Sequence, residues 1–287
     1  MTSLTALGFG YCVARLVAED HSAFSRIVGT ARTADRVAAL PANVEAMLFD
    51  GEQLSDELAA VLRETQLLIV SAPPDARGDP VLRCARAVLE QGRLRQVVYL
   101  TTLGVYGNHD GGWVDETTPP RGGSARLERR LQAEADWLAF GKARGVAVSV
   151  LRLAGIYGPG RNALEQVRAG TARRIDKPGQ VFNRIHVDDI SNAIRAAAAL
   201  RFNGILNVTD DLPAPPGDPI AYAAELLGRA PPPLVPFEEA AREMSPMALT
   251  FWSGNKRVSN ARLKGELGVI LRYPTYREGL AALAASA

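Results

Sequence analysis

The sequence predicts an α/β protein, a doubly wound parallel sheet followed by a small C-terminal α/β portion. Short apolar runs ending in turn residues recur along the first half: "SLTAL", "RIVGT", "VEAMLF", "QLLIVSA" and "QVVYLTT". Helical patterns separate them, over 11–20, 33–40, 54–63, 80–91 and 124–143, so strand and helix alternate in units of about 30 residues. The run "VAVSVLRLAG" (146–155) extends the alternation as a sixth strand. In such sheets ligands bind at the carboxyl ends of the strands, which makes those ends the places to read for function.

The first strand runs into "ALGFGYCVARL". Gly8 and Gly10 suit a tight turn that lets backbone approach a pyrophosphate at the start of the next helix, where Tyr11 and Cys12 lie. Val13 stands where a third glycine of the dinucleotide fingerprint belongs. Cys12 is at a helix start that would stabilise a thiolate, although a packing role is the favoured reading. The second strand ends in "IVGTARTADR" with no acid from Ile27 to Ala34. An acid there holds the ribose 2′-hydroxyl of NAD. Here Thr30 offers a hydroxyl and Arg32 a fork-shaped cation suited to a phosphate, which favours NADP over NAD. Asp50 follows the third strand, placed to accept from an adenine amino group. Ser71, Ala72 and Pro73 follow the fourth, small enough to lie flat against a ribose. Tyr11, Thr101 and Leu153 complete the expected cofactor-lining set.

The helix "SARLERRLQAEADWL" (124–138) shows two stripes. Leu127, Leu131 and Leu138 repeat at helical spacing and are expected to face a core. Arg126, Arg130, Ala133 and Trp137 form the second stripe, which is either a solvated face or one that meets a ligand.

At the fifth strand end, "VVYLTTLGVYG" followed by "VDETTPP" resembles the extended branch of the short-chain dehydrogenase/reductase superfamily. The likeness continues through "VLRLAGIYGPGRNAL" and "NRIHVDDISNAI" and spans nearly the whole chain. Within the superfamily the chain is most similar to its atypical members of the NAD-dependent epimerase/dehydratase type. The resemblance implies a Rossmann-type fold, a nicotinamide dinucleotide, and a substrate oxygen held by Thr102. It also implies a catalytic tyrosine with a lysine four residues later, and that pair is missing. No tyrosine lies between Tyr106 and Tyr157, and the only lysine there is Lys142. With Glu134 matched to the family's glutamate, Arg126 takes the tyrosine position and Arg130 the lysine position. An arginine binds an anion or polarises a carbonyl but does not deprotonate usefully, so it is no general acid or base. Thr102 through a water, Tyr106, or the substrate itself remains for that role.

The same resemblance divides the chain into an NADP-binding domain over 1–160, completed by 183–212, and a small substrate portion over 161–182 and 213–287. His186 precedes "VDDI" at a helix start and reads as structural, with Asp188 and Asp189 favoured by the helix dipole. "FWSGNKRVSN" (251–260) is the expected substrate loop. There Phe251 and Trp252 are either apolar walls or a buried aromatic pair, and Lys256 or Arg257 either anion partners or surface bases. Relatives commonly pair through the helices after strands four and five, so a homodimer is possible.

Composition narrows the field. The net charge of +2 without a basic tract speaks against nucleic acid as a partner. Two cysteines, Cys12 and Cys84, cannot build a disulfide framework and suit a reducing compartment. No apolar run approaches a membrane span and no basic leader opens the chain, so the cytoplasm is expected. The three histidines, His21, His109 and His186, lack the spacing of a metal site. The expected function is hydride transfer between NADP and a small polar or anionic carbonyl or alcohol substrate. The alternative is an NADP-binding regulator or scaffold without catalysis.

Overall fold

The computed structural model describes residues 2–286. Seven parallel strands form the central sheet. In space their order is Gly204–Val208, Ala147–Leu153, Gln96–Thr102, Leu67–Val70, Thr2–Leu7, Phe24–Ala31 and Glu45–Leu48. The order turns back at Thr2–Leu7, which pairs in parallel with both Phe24–Ala31 and Leu67–Val70. That reversal is the switch point at which open α/β sheets bind ligands. The inner strands are buried on both faces, as "LLIV" at 67–70 and "QVVYL" at 96–100 show, and this is why they read as unbroken apolar runs rather than alternating ones.

The helices begin where the sequence supplies caps. Asp79 accepts from the Val81 and Leu82 amides, both at 2.9 Å, with Pro80 opening the helix Pro80–Gln91. Ser55 caps Asp56–Glu64, and Ser124 caps Ala125–Arg144, which ends on left-handed Gly145 (φ 65°).

The chain forms two compact units. The first comprises Met1–Thr102, Gly123–Arg152 and Ser191–Leu206. One of its apolar layers gathers Leu58, Leu62, Val81, Leu89, Tyr99, Trp137, Phe140 and Val148, from the sheet and three of its helices. The second unit comprises Leu103–Gly122, Leu153–Ile190 and Asn207–Ala287. Its core includes Tyr157, Leu164, Ile220, Ala223, Tyr276 and Leu280. Three two-stranded parallel pairs belong to it: Gly155–Tyr157 with Arg184–His186, Arg174–Asp176 with Leu234–Pro236, and Trp113–Val114 with Arg257–Val258. These strands, and the helices Ala163–Arg168 and Pro246–Trp252, are too short to leave a periodic signal. The strand Gly204–Val208 goes no further, because the Asp210 amide is drawn to the Arg184 carbonyl at 2.7 Å. Among the described residues no helix is long and apolar enough to cross a membrane.

Candidate cofactor and substrate site

The turn after the first strand is fixed by its neighbours. Gly8 adopts φ 94°, and a Cβ there would lie 2.7 Å from Ser71 Oγ and 2.9 Å from the Ala72 nitrogen. Only glycine fits. The Gly8 amide donates to Thr30 Oγ1 at 3.0 Å, the Phe9 amide to the Thr30 carbonyl at 2.8 Å, and Ser71 Oγ to the Gly8 carbonyl. Phe9 packs on Gly29, which has no room for a side chain. Gly10 is different. It caps the helix Tyr11–Asp20 without a side-chain bond, no acid occupies the first turn, and a Cβ on it would meet nothing within 4 Å. A helix start with open space over its capping glycine suits an anion.

Thr30 was expected to face the cofactor, and the structure assigns it other work. It is 1% exposed, and its hydroxyl is committed to the Gly8 amide and the Ala6 carbonyl. Its contribution is to shape the glycine turn. Ser71 likewise spends its hydroxyl on Gly8. Arg32 is exposed beyond that strand, and Asp50 is exposed with Oδ1 accepting from the Glu52 amide at 2.8 Å. Ala72 is half-buried and Pro73 exposed; Tyr11 is half-buried and Cys12 buried and unoxidised.

Helix Ala125–Arg144 reverses the expected orientation of its stripes. Its buried face is Ala133, Glu134, Trp137, Phe140 and Gly141, while Leu127, Leu131 and Leu138 are only half-buried. The arginine stripe therefore continues the sheet-facing side. Glu134 and Arg152 form a buried ion pair, with Nε and Nη2 donating to Oε2 at 3.1 and 2.7 Å. Nothing in sequence spacing announced it, since the partners lie on different elements. Burial pushes the Glu134 carboxyl up, against the pull of Arg152, Thr101 and Arg130. Arg130 is half-buried, and desolvation lowers its pKa, opposed by the field of Tyr99. No acceptor among the described residues bonds its guanidinium. Arg126 is exposed one turn earlier. Thr102, the last residue of its strand, is half-buried, and Thr101 is buried.

Within the second unit, Tyr106 is fully buried and donates to Asn207 Oδ1 at 2.8 Å. That bond corrects its candidacy as a general acid. The segment 251–257 is stitched in place rather than open. Trp252 packs on the rings of Phe182 and Phe237, both at 5.1 Å. The Asn255 side chain bonds the Val181 amide and the Gly179 carbonyl, and the Arg257 guanidinium caps the Gly111 carbonyl. Lys256 is 9% exposed, donates to the Gly107 carbonyl at 2.9 Å, and is pushed down to about 8 by burial. Of the expected apolar walls, only Phe251 is exposed. His186 is buried between Tyr157 and Tyr273, and its Nδ1 accepts from the Asp188 amide. Asp189 holds the Arg272 and Tyr273 amides. Leu153 is buried at its strand end.

A parallel sheet whose switch point carries a glycine turn, opening onto a helix start without a side-chain cap, defines a Rossmann-type fold. No family model matches the chain. A functionally unknown conserved protein from Silicibacter pomeroyi DSS is 45% identical, with a TM-score of 0.88 over 100% of this chain and 99% of that one. A candidate NAD-dependent epimerase/dehydratase from Methylobacillus flagellatus is 26% identical, with a TM-score of 0.75 over 99% and 98%. A 3-diazoavenalumate denitrifying reductase from Streptomyces is 32% identical over 164 residues, 54% of this chain and only about half (50%) of that protein. The chain shares the Rossmann-type fold of NAD-dependent epimerase/dehydratase-like proteins.

Proposed function

We propose that the protein is an NADP-dependent oxidoreductase or epimerase acting on a small polar or anionic carbonyl or alcohol. The observation that carries this reading is the pairing of the Gly8–Gly10 turn, built and left open as a pyrophosphate seat, with a half-buried Arg130 that hydrogen-bonds no carboxylate. A desolvated cation without a hydrogen-bonded acceptor is costly, and an anionic ligand relieves that cost. The residues fit a dinucleotide: Gly8 and Gly10 receive the pyrophosphate at the start of Tyr11–Asp20, and Arg32 receives a 2′-phosphate where no acid competes. Asp50, Ser71, Ala72 and Pro73 border the adenosine half; Thr101, Arg130 and Leu153 border the other. The nicotinamide, when bound, supplies or accepts a hydride. Thr102 orients the reacting oxygen by hydrogen bonding, Arg130 holds ribose hydroxyls or a nearby anion, and Arg126 draws an anionic substrate or polarises its carbonyl.

The test is calorimetric binding of NADP and NAD to the wild-type chain and to Arg32→Ala. Loss of a charged hydrogen bond to phosphate should weaken NADP by about 1.5–3 kcal/mol, one to two decades, and leave NAD nearly unchanged. Equal losses for both overturn the NADP assignment. Labelled-hydride exchange from NADPH to a panel of carbonyl compounds, repeated with Thr102→Ala, then tests the chemistry.

One observation favours a second reading, an NADP-binding regulator without turnover. Helix Ala125–Arg144 carries no tyrosine, and the Tyr106 phenol is spent on Asn207. That reading expects tight NADP binding with no hydride exchange across the panel.

A further inference from the structure

The turns that follow the third and fourth strands are each closed on themselves and then tied to one another. In the first, Asp50 Oδ1 accepts from the Glu52 amide at 2.8 Å, and Gly51 takes φ 93°. In the second, Asp75 Oδ1 accepts from the Arg77 amide at 2.7 Å, and the backbones of Asp75 and Gly78 bond each other in both directions. None of these bonds reaches the other turn, so none decides how far apart the two turns lie.

Helix Pro80–Gln91 decides it. Pro80, Arg83 and Cys84 share one of its faces and meet Gly51 together. A Cβ on Gly51 would lie 3.2 Å from Pro80 Cβ, Arg83 Nη2 donates to the Gly51 carbonyl at 2.8 Å, and Cys84 Sγ lies 3.4 Å from the same oxygen. The Arg83 guanidinium also forks onto the second turn, Nη1 donating to Asp75 Oδ1 at 3.1 Å and Nη2 to Asp75 Oδ2 at 3.0 Å. Across the same gap Arg77 bonds Glu52. One planar group therefore holds both turns, and a bidentate fork fixes direction as well as distance. Arg83 closes the first turn of its helix, where the dipole favours acids over cations. With side chains 24% and 42% exposed, the Arg83–Asp75 pair adds little to stability. What it supplies is geometry.

We propose that Arg83 is a positioning residue for the adenosine half of the dinucleotide, clipping the turn that carries Asp50 to the turn that continues from Ser71, Ala72 and Pro73. This rests on the reading that those four residues border the adenosine. Without the clip each turn keeps its own shape, but the width between them is no longer set. Arg32 is assigned to the 2′-phosphate alone, whereas Arg83 acts on the part of the ligand that NADP, NAD and ADP share.

The test is calorimetry of NADPH and ADP on the full chain for wild type, Arg83→Met, Asp75→Asn and the double variant, with melting temperatures alongside. Arg83→Met should weaken both ligands by the same factor, about fivefold to tenfold, at a nearly unchanged melting temperature. The double variant should lose no more than Arg83→Met alone, because the two residues act as one clip. Arg83→Lys, which keeps the charge without the fork, should not restore affinity. Wild-type affinity in Arg83→Met, or full affinity in Arg83→Lys, overturns the proposal and leaves the functional reading intact. Losses that add between Arg83→Met and Asp75→Asn, or that follow a fall in melting temperature, overturn it in the same way. A loss confined to NADPH moves Arg83 to another part of the ligand and overturns it too. A wild-type chain that binds neither ligand overturns the dinucleotide reading and the proposal together.

Discussion

In the turn after the first strand, polar groups are spent on one another: the Thr30 hydroxyl on Gly8, the Ser71 hydroxyl on the Gly8 carbonyl, the Phe9 amide on Thr30. On the arginine face of helix Ala125–Arg144 they are left over. Arg130 has no bonded acceptor, and the buried Tyr99 hydroxyl has no hydrogen-bond partner. The first region recognises by shape, because a fully bonded backbone cannot adjust and offers only the space over Gly10. The second recognises by charge, because unpaired donors acquire their worth only when a ligand arrives. A site built this way separates holding from discriminating, and substitutions should separate them too.

The largest effects belong to the shape region. Gly8→Val forces a side chain into Ser71 and the Ala72 backbone at a φ of 94°, and is expected to abolish dinucleotide binding and destabilise the chain. Gly10→Ala adds a methyl that touches nothing. Its stability should change by about 1 kcal/mol or less, while NADPH affinity falls about tenfold or more. If calorimetry and thermal melting showed the two glycines failing alike, the distinction between built backbone and open seat would be lost.

The two arginines nearest Glu134 offer the next contrast. Arg152 is paired and fully buried, so Glu134→Leu, which strands its charge, should cost about 3–5 kcal/mol in denaturant unfolding. The double variant Glu134→Leu, Arg152→Met should recover most of that loss. Arg130→Met removes a desolvated cation that no acceptor hydrogen-bonds, so stability should hold or rise slightly and ligand affinity should drop. A large stability loss in Arg130→Met would place it among the spent groups.

The second unit has its own leftover group. Asp210 is buried, accepts from the Leu212 amide, and keeps Oδ2 unpaired, while Arg184 places Nη1 on the carbonyls of Phe182 and Ala214. Burial pushes the Asp210 carboxyl up to about 8; Arg184 opposes this, and Asp211 and Asp189 add to it. The native state then holds a proton that the unfolded chain releases near its ordinary value of 3.8. Stability should therefore fall as pH rises from about 4 to about 8, by at most about 1.4 kcal/mol per unit, and level off above. Asp210→Asn cannot lose that proton, so its stability relative to wild type should climb across the same window. A constant difference between pH 5 and pH 8 would mean that Asp210 is ionised in the native state.

The sheet and its principal helices were readable because each strand is a short apolar run and each long helix has a cap the eye can find, such as Asp79 with Pro80 or Ser124. The glycine turn was readable because its context, strand before and helix after, is local. What resisted reading was long-range. Thr30 looks the same whether its hydroxyl meets a ribose or the Gly8 amide 22 residues away. The leucine stripe of helix 125–144 outscored the true buried face, because Glu134 counts as polar until Arg152 is known to face it. The segment 251–257 looked like a loop because its anchors, Asn108, Gln180 and Asn183, are distant in sequence.

Tyr106 provides the finest test of spent against unspent. As a tyrosine beside the fifth strand end it has the chemistry of the missing acid, and sequence alone allows that role. Its hydroxyl instead donates to Asn207 Oδ1, while the Asn207 amide donates to Glu116 Oε1 at 2.7 Å and its Nδ2 to the Ser259 carbonyl at 3.3 Å. The phenol thus completes an asparagine whose other groups already tie two further segments together. Tyr106→Phe removes one buried hydrogen bond and leaves Oδ1 without its donor, a loss of about 1–2 kcal/mol in denaturant unfolding. NADPH affinity, and the rate and pH profile of any hydride exchange, should stay as in wild type, because a proton committed to a buried amide oxygen is not available to a reacting one. A rate loss of about a hundredfold or more with unchanged stability would return Tyr106 to the chemistry and move it from the spent groups to the working ones.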